Sequence, residues 1–150
     1  MPVDGARAEE RRMIDALLPW AEAGIAIVGL EPSCLFTLRD EFKSLGLNGA
    51  DAIAERAVLF EEFIATEHAA GRFNPPLKPL AEMRALLHGH CHQKAFGAMS
   101  AVQKSLALIP DLAVTTVESS CCGMAGAFGY EASHYDVSMQ MAEASLLPAV

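Results

Sequence analysis

Cys121 and Cys122 stand side by side at the end of an apolar run, and Gly123, Gly126 and Gly129 follow them among small residues. Adjacent thiols offer soft ligands, and the glycines let the backbone turn sharply or pass close to a bound group. The other two cysteines, Cys34 and Cys91, also come soon after short apolar runs that read as strands. Cys91 lies between His90 and His92, with His88 before them and Lys94 one turn beyond. Four thiolates brought to one place bind an iron–sulfur cluster or zinc, and imidazoles add nitrogen ligands.

The spacing alone leaves three readings open. It is neither a zinc-finger spacing nor the CxxCxxC run of a bacterial ferredoxin, so metal or cofactor binding competes with purely structural cysteines. The third reading is a catalytic thiol, since Cys91 has an imidazole on either side. Sequence neighbours in a strand point apart, however, and no third orienting group is evident. His88, His90 and His92 share one face if the strand continues, whereas Gly89 is equally consistent with an irregular turn. Lys94 either lowers a thiolate pKa and attracts an anion or is ordinary surface charge. Gly123, Gly126 and Gly129 lack the order of a dinucleotide fingerprint; they suit close passage of backbone beside an inorganic group.

The elements that position these residues follow from periodicity. Residues 6–23 show Met13, Ile14, Leu17, Leu18 and Ala21 at helical spacing, with Asp4 as the cap, Gly24 as the stop and Pro19 as a kink or early end. Residues 25–30 are continuously apolar, the pattern of a strand buried on both faces of a parallel sheet. Cys34 then falls near the first turn of a helix over 35–42, where unpaired N–H groups favour a thiolate; the competing reading is a cysteine buried in a tight turn. Ile53, Ala57, Phe60 and Ile64 predict one helix from Ala50 to just before Gly71, its charged residues forming a solvated face. Residues 73–79 hold paired prolines and predict an extended connector inside one domain. A strand over 84–88, a helix over 95–108, a strand over 112–117 and a final helix over 130–147 complete the order. Such alternation predicts an α/β fold, three layers α/β/α around a small, mostly parallel sheet, with 1–150 as a single domain. Open α/β sheets bind ligands beyond the carboxyl ends of their strands, which is where the cysteines fall. The chain stops at Val150 with no polar tail, so a further strand is expected beyond it.

Composition narrows the class. With 150 residues, 52% of them hydrophobic, the chain can bury a core without disulfide staples. A net charge of −8 with eleven dispersed Lys and Arg argues against nucleic acid. No stretch of about eighteen apolar residues suggests a transmembrane segment, and the polar first ten residues are not a signal peptide. Four cysteines at this density suit a reducing compartment, and Cys121 and Cys122 are awkward to bridge to each other.

Three segments in this order, Gly29-Leu30-Glu31-Pro32-Ser33-Cys34, His88-Gly89-His90-Cys91-His92-Gln93-Lys94 and Glu118-Ser119-Ser120-Cys121-Cys122-Gly123-Met124-Ala125-Gly126, resemble the cysteine-rich, CCG-type domain of iron–sulfur oxidoreductases. Within that family the chain is most similar to the C-terminal region of fusions between an FAD-linked oxidase and an iron–sulfur part, of the D-lactate, glycolate or D-2-hydroxyglutarate dehydrogenase type. The resemblance implies Cys34, Cys91, Cys121 and Cys122 as cluster ligands and Gly123 and Gly126 as pocket-shaping residues; His88, His90, His92 and Lys94 are auxiliary candidates from their own types and spacing. It implies electron transfer from reduced FAD, held in a flavin-containing oxidase domain or subunit that this chain lacks, to a quinone or other acceptor. It also implies a cytoplasmic location, peripheral to the inner membrane through the parent complex. Related domains carry a further cysteine after their last helix; none follows Cys122 here. The chain alone is therefore expected to be catalytically incompetent and to be empty, to hold zinc, to form disulfides, or to pair as a homodimer across an exposed edge. The alternative function is a zinc-binding structural or partner-docking domain without redox activity.

Overall fold

The computed structural model describes the backbone from Val3 and side chains from Gly5 to Val150. The chain is α/β, and it divides into two compact units between Asn74 and Pro75, inside the proline connector. Where one small sheet was expected, the described residues form two separate sheets, each a parallel pair of strands.

In the first unit, helix α1 spans Val3–Glu22, with Pro19 inside it and not at its end. Asp4, expected as its cap, lies inside this helix, and its side chain is outside the described residues. Gly24 ends α1 with a positive φ of 80° and an N–H bond back to Ala21, a conformation glycine adopts without penalty. Strand β1 follows at Ile27–Gly29, helices α2 at Pro32–Arg39 and α3 at Glu41–Ser44, helix α4 at Ala50–Arg56, strand β2 at Ala57–Leu59 and helix α5 at Phe60–Ala69. β1 and β2 are parallel, with Ile27, Val28 and Gly29 opposite Ala57, Val58 and Leu59.

The single helix expected from Ala50 onward is in fact helix, strand, helix. Ala57 and Phe60 satisfy helical spacing, but Ala57 leaves the helix with an extended backbone. The Glu62 carboxylate then accepts the Leu59 N–H at 2.9 Å and restarts a helix, while Arg39 donates to the same carboxylate at 2.9 Å. Glu62 thus belongs to a half-buried network, not to the solvated face expected of it. β1 also departs from expectation: Val28 is 39% exposed, so the strand is not covered on both faces. Ile14, Phe36, Ile53 and Leu59 are fully buried and form the heart of this unit.

The second unit holds strand β3 at Arg84–Leu87, helices α6 at Cys91–Ala95 and α7 at Met99–Leu106, strand β4 at Ala113–Thr116 and helix α8 at Tyr135–Glu143, the last preceded by two short 3-10 turns. β3 and β4 are parallel, Arg84 opposite Ala113 through Leu87 opposite Thr116. The helix expected over 95–108 begins only at Met99, as α7; Ala95 closes the separate helix α6, and Gly97, at φ 70°, lies between the two. Only Ala98, Val102, Val117 and Ala142 are buried apolar residues here among the described residues, and α8 turns Ser138 and Ala142 inward while Val137 stays exposed.

Candidate thiol site

All four cysteines are free thiols; Cys34 and Cys91 are exposed, Cys121 and Cys122 half-buried. In the first unit, Glu31 is the N-cap of α2 and Pro32 its first residue, a pairing suited to a helix start. The Glu31 carboxylate accepts from the Ser33 hydroxyl at 2.7 Å and from the Cys34 N–H at 2.6 Å. The Ser33 bond, with the Cys34 N–H bond adding to it, holds the Glu31 carboxyl down at about 2. The same carboxylate, by its hydrogen bond to the thiol and then by its charge, pushes the Cys34 thiol up. The helix start therefore does not favour a thiolate at Cys34, because the nearby carboxylate outweighs the backbone N–H groups.

In the second unit, β3 ends at Leu87 and Cys91 opens α6, so His88, His90 and His92 do not lie along one strand face. The irregular turn at Gly89 is the geometry found. His90 is the N-cap: its Nδ1 accepts the His92 N–H at 3.2 Å, and Gln93 Oε1 accepts the His90 N–H at 3.1 Å. The His90 and His92 rings stack with centroids 5.2 Å apart. His88 is half-buried, and its Nδ1 shares a 2.7 Å hydrogen bond with Ser119 Oγ. Burial first, then the charges of Lys94 and His90, lower its pKa, so the ring is neutral at pH 7.

Lys94 reaches across to the segment that precedes the paired cysteines. Its Nζ donates to the carbonyl oxygens of Ser119 at 2.9 Å and Ser120 at 3.1 Å. Beyond them, the Gly123 N–H donates to Cys121 Sγ at 3.3 Å. Gly123 has φ 84°, and a Cβ there would collide with the Ser138 carbonyl oxygen of α8. Only glycine fits, so the backbone just after the paired cysteines lies close against α8. Gly126 has φ 65° and open space around its Cβ direction, so its backbone angle alone calls for glycine.

The donor chemistry suits a soft metal, since all four thiols are free. Among the described residues, though, no group of three or more His, Cys, Asp or Glu side chains stands ready to hold a metal ion. Periodicity and spacing passed over Glu31, Ser119, Ser120, Ser138 and Ser145 as participants. Glu31-Pro32-Ser33 carried a readable helix-start signal; the serines act through backbone atoms and long-range contacts that spacing does not encode.

No family model matches the chain, and no solved structure matches it. Among curated proteins, it is 29% identical over 115 residues to one of the subunits of the anaerobic glycerol-3-phosphate dehydrogenase of Escherichia coli K12, covering 77% of this chain and 28% of that protein. It is 26% identical over 137 residues to the D-2-hydroxyglutarate dehydrogenase of the same strain, covering 90% of this chain and 13% of that protein. The Pseudomonas putida KT2440 D-2-hydroxyglutarate dehydrogenase is 28% identical over 127 residues, 83% of this chain and 12% of its own length. No described helix is long and apolar enough to cross a membrane. The chain spans less than a third of each of these relatives, and what it is similar to in each is part of a dehydrogenase or of a dehydrogenase subunit.

Proposed function

We propose that residues 1–150 act as one cysteine-rich electron-transfer module of a flavin-dependent 2-hydroxy-acid dehydrogenase, passing electrons from reduced FAD in a partner domain or subunit to an acceptor. The observation that carries this reading is similarity over most of the chain both to a subunit of a glycerol-3-phosphate dehydrogenase and to D-2-hydroxyglutarate dehydrogenases. Four free thiols, none committed to a disulfide, support it.

Cys34, Cys91, Cys121 and Cys122 are the proposed ligands of an iron–sulfur cluster, a group that supplies one-electron transfer when bound. Of the surrounding residues, Gly123 gives an N–H to sulfur, which draws electron density from Cys121, and neutral His88 fixes Ser119 through its hydroxyl. The hydroxy-acid chemistry itself belongs to the flavin partner.

Anaerobic reconstitution, with iron and sulfide, of the whole dehydrogenase that contains this chain tests this. The expected result is bound iron with acid-labile sulfide and a visible absorbance that dithionite bleaches. Stable zinc at one per chain, with no reducible chromophore, would instead assign a structural or docking role.

A further inference from the structure

We propose that Lys94 is the positioning residue of the thiol site, holding the Cys121-Cys122 segment in place through the two carbonyls that precede it; as a role at that site, this rests on the reading above. Consecutive carbonyls of an extended strand point to opposite sides. Those of Ser119 and Ser120 both accept from the one Lys94 Nζ, at 2.9 and 3.1 Å. The chain is therefore turned out of its strand direction at this point. The β4 ladder has just finished there, with the Val117 N–H bonded to the Leu87 carbonyl at 2.8 Å. The direction in which Cys121 and Cys122 leave the sheet is set by where that ammonium sits.

The ammonium is itself well placed. α6 carries Lys94 one turn after Cys91, so the same short helix bears one cysteine and grips the backbone leading to two more. Its stem lies over Gly89, where an added Cβ would come within 3.3 Å of Lys94 Cγ and would also strike Met99. Two more elements hold the same two residues. His88, just after β3, shares a 2.7 Å hydrogen bond with the Ser119 hydroxyl. Ser145, after α8, accepts the Ser120 N–H at 3.2 Å. Lys94 is the only charged member of this three-way grip, and hydrogen bonds from a charged donor are the stronger kind. A compact ammonium with three rotatable donors suits two converging carbonyls, and a neutral side chain of the same length does not.

The test compares Lys94→Met, which keeps the stem and loses the donors, with Lys94→Arg, which keeps donors and charge. Amide hydrogen exchange is followed over residues 118–124 in the metal-free protein. Lys94→Met should speed exchange there by roughly tenfold, the scale of a lost charged hydrogen bond. Lys94→Arg should stay near wild type, and residues 27–39 of the first unit should not change in either. Unchanged exchange at 118–124 in Lys94→Met, or an acceleration spread evenly over the second unit, would overturn the assignment. After reconstitution, Lys94→Met should lose iron that Lys94→Arg retains; equal retention would overturn the link to the thiol site. If the whole dehydrogenase that contains this chain takes up no iron at all, the electron-transfer reading fails, and the exchange result still decides what Lys94 does.

Discussion

Each unit carries a cysteine in the first turn of a helix that follows a parallel strand, and each presses a glycine against that helix, yet the two are built on different terms. In the first, Gly29 lies under Leu35, the helix is capped by a carboxylate, and twelve of the sixteen buried apolar residues of the described chain are found there. In the second, Gly89 lies under Met99 and Lys94, the helix is capped by an imidazole, and the segment bearing the paired cysteines is held by Lys94, His88 and Ser145. The first unit is organised by packing. The second is organised by polar contacts around its thiols, with a small apolar core, and a group bound there would add stability that its packing does not supply.

The largest effect expected from this contrast is in the first unit's core. Phe36 is 1% exposed and its ring also carries Arg39 at 5.3 Å, so Phe36→Ala should cost about 3–5 kcal/mol in chemical denaturation. A cost below that of Val102→Ala, a smaller deletion in the second unit, would remove the distinction between them. Next comes Gly123→Ala, which must relieve both a positive φ and a collision with the Ser138 carbonyl; about 3 kcal/mol is expected, together with greater exposure of Cys121 and Cys122 to alkylation. Wild-type labelling rates in that variant would show that the close approach to α8 does not seat the cysteines.

Glu10 sharpens the comparison from the other side, because it is the packed unit's unsatisfied group. It is 3% exposed and neither carboxylate oxygen has a hydrogen-bond partner among the described residues. Burial raises its pKa above 4.5, against the opposing pull of Arg11 and Arg7. The folded state then binds more protons than the unfolded chain, so its contribution is favourable below the ordinary value and is lost as pH rises through the folded one. Glu10→Leu should raise stability at pH 7 by about 1–3 kcal/mol and flatten that loss; a destabilised variant at pH 7 would mean the carboxylate has a role of its own. The smallest effect is at the cap. Glu31→Gln should cost about 1 kcal/mol or less and speed Cys34 alkylation at neutral pH, since the carboxylate raises that thiol's pKa and so lowers its thiolate fraction.

The α/β alternation was legible because its longer elements obey simple periods: α1 stops at Gly24 and α5 stops before Gly71, where left-handed glycines end them. β2 was not legible, since three residues cannot establish a period of two and Ala57 also fits the helical row that runs from Ile53 to Ile64. The short helix α6 over Cys91–Ala95 was not legible either, since five residues are too few to establish a helical period, and the helix expected over 95–108 starts only at Met99, beyond Gly97. Types and spacing marked the cysteines, Lys94 and the histidines as the residues to follow. They could not show that Lys94 acts on two carbonyls 25 and 26 positions away, or that Ser145 would accept the N–H of Ser120. Those relations exist only once strands and helices bring distant backbone together.

Iron and acid-labile sulfide, measured after anaerobic reconstitution of the whole dehydrogenase that contains this chain, wild type and with Cys34→Ser, Cys91→Ser or Cys122→Ser, test the account most directly. Iron and sulfide in the wild type, lowered in each variant while far-UV circular dichroism is unchanged, is the predicted result. Zinc without sulfide in the wild type, or iron retained equally in all three variants, would contradict it.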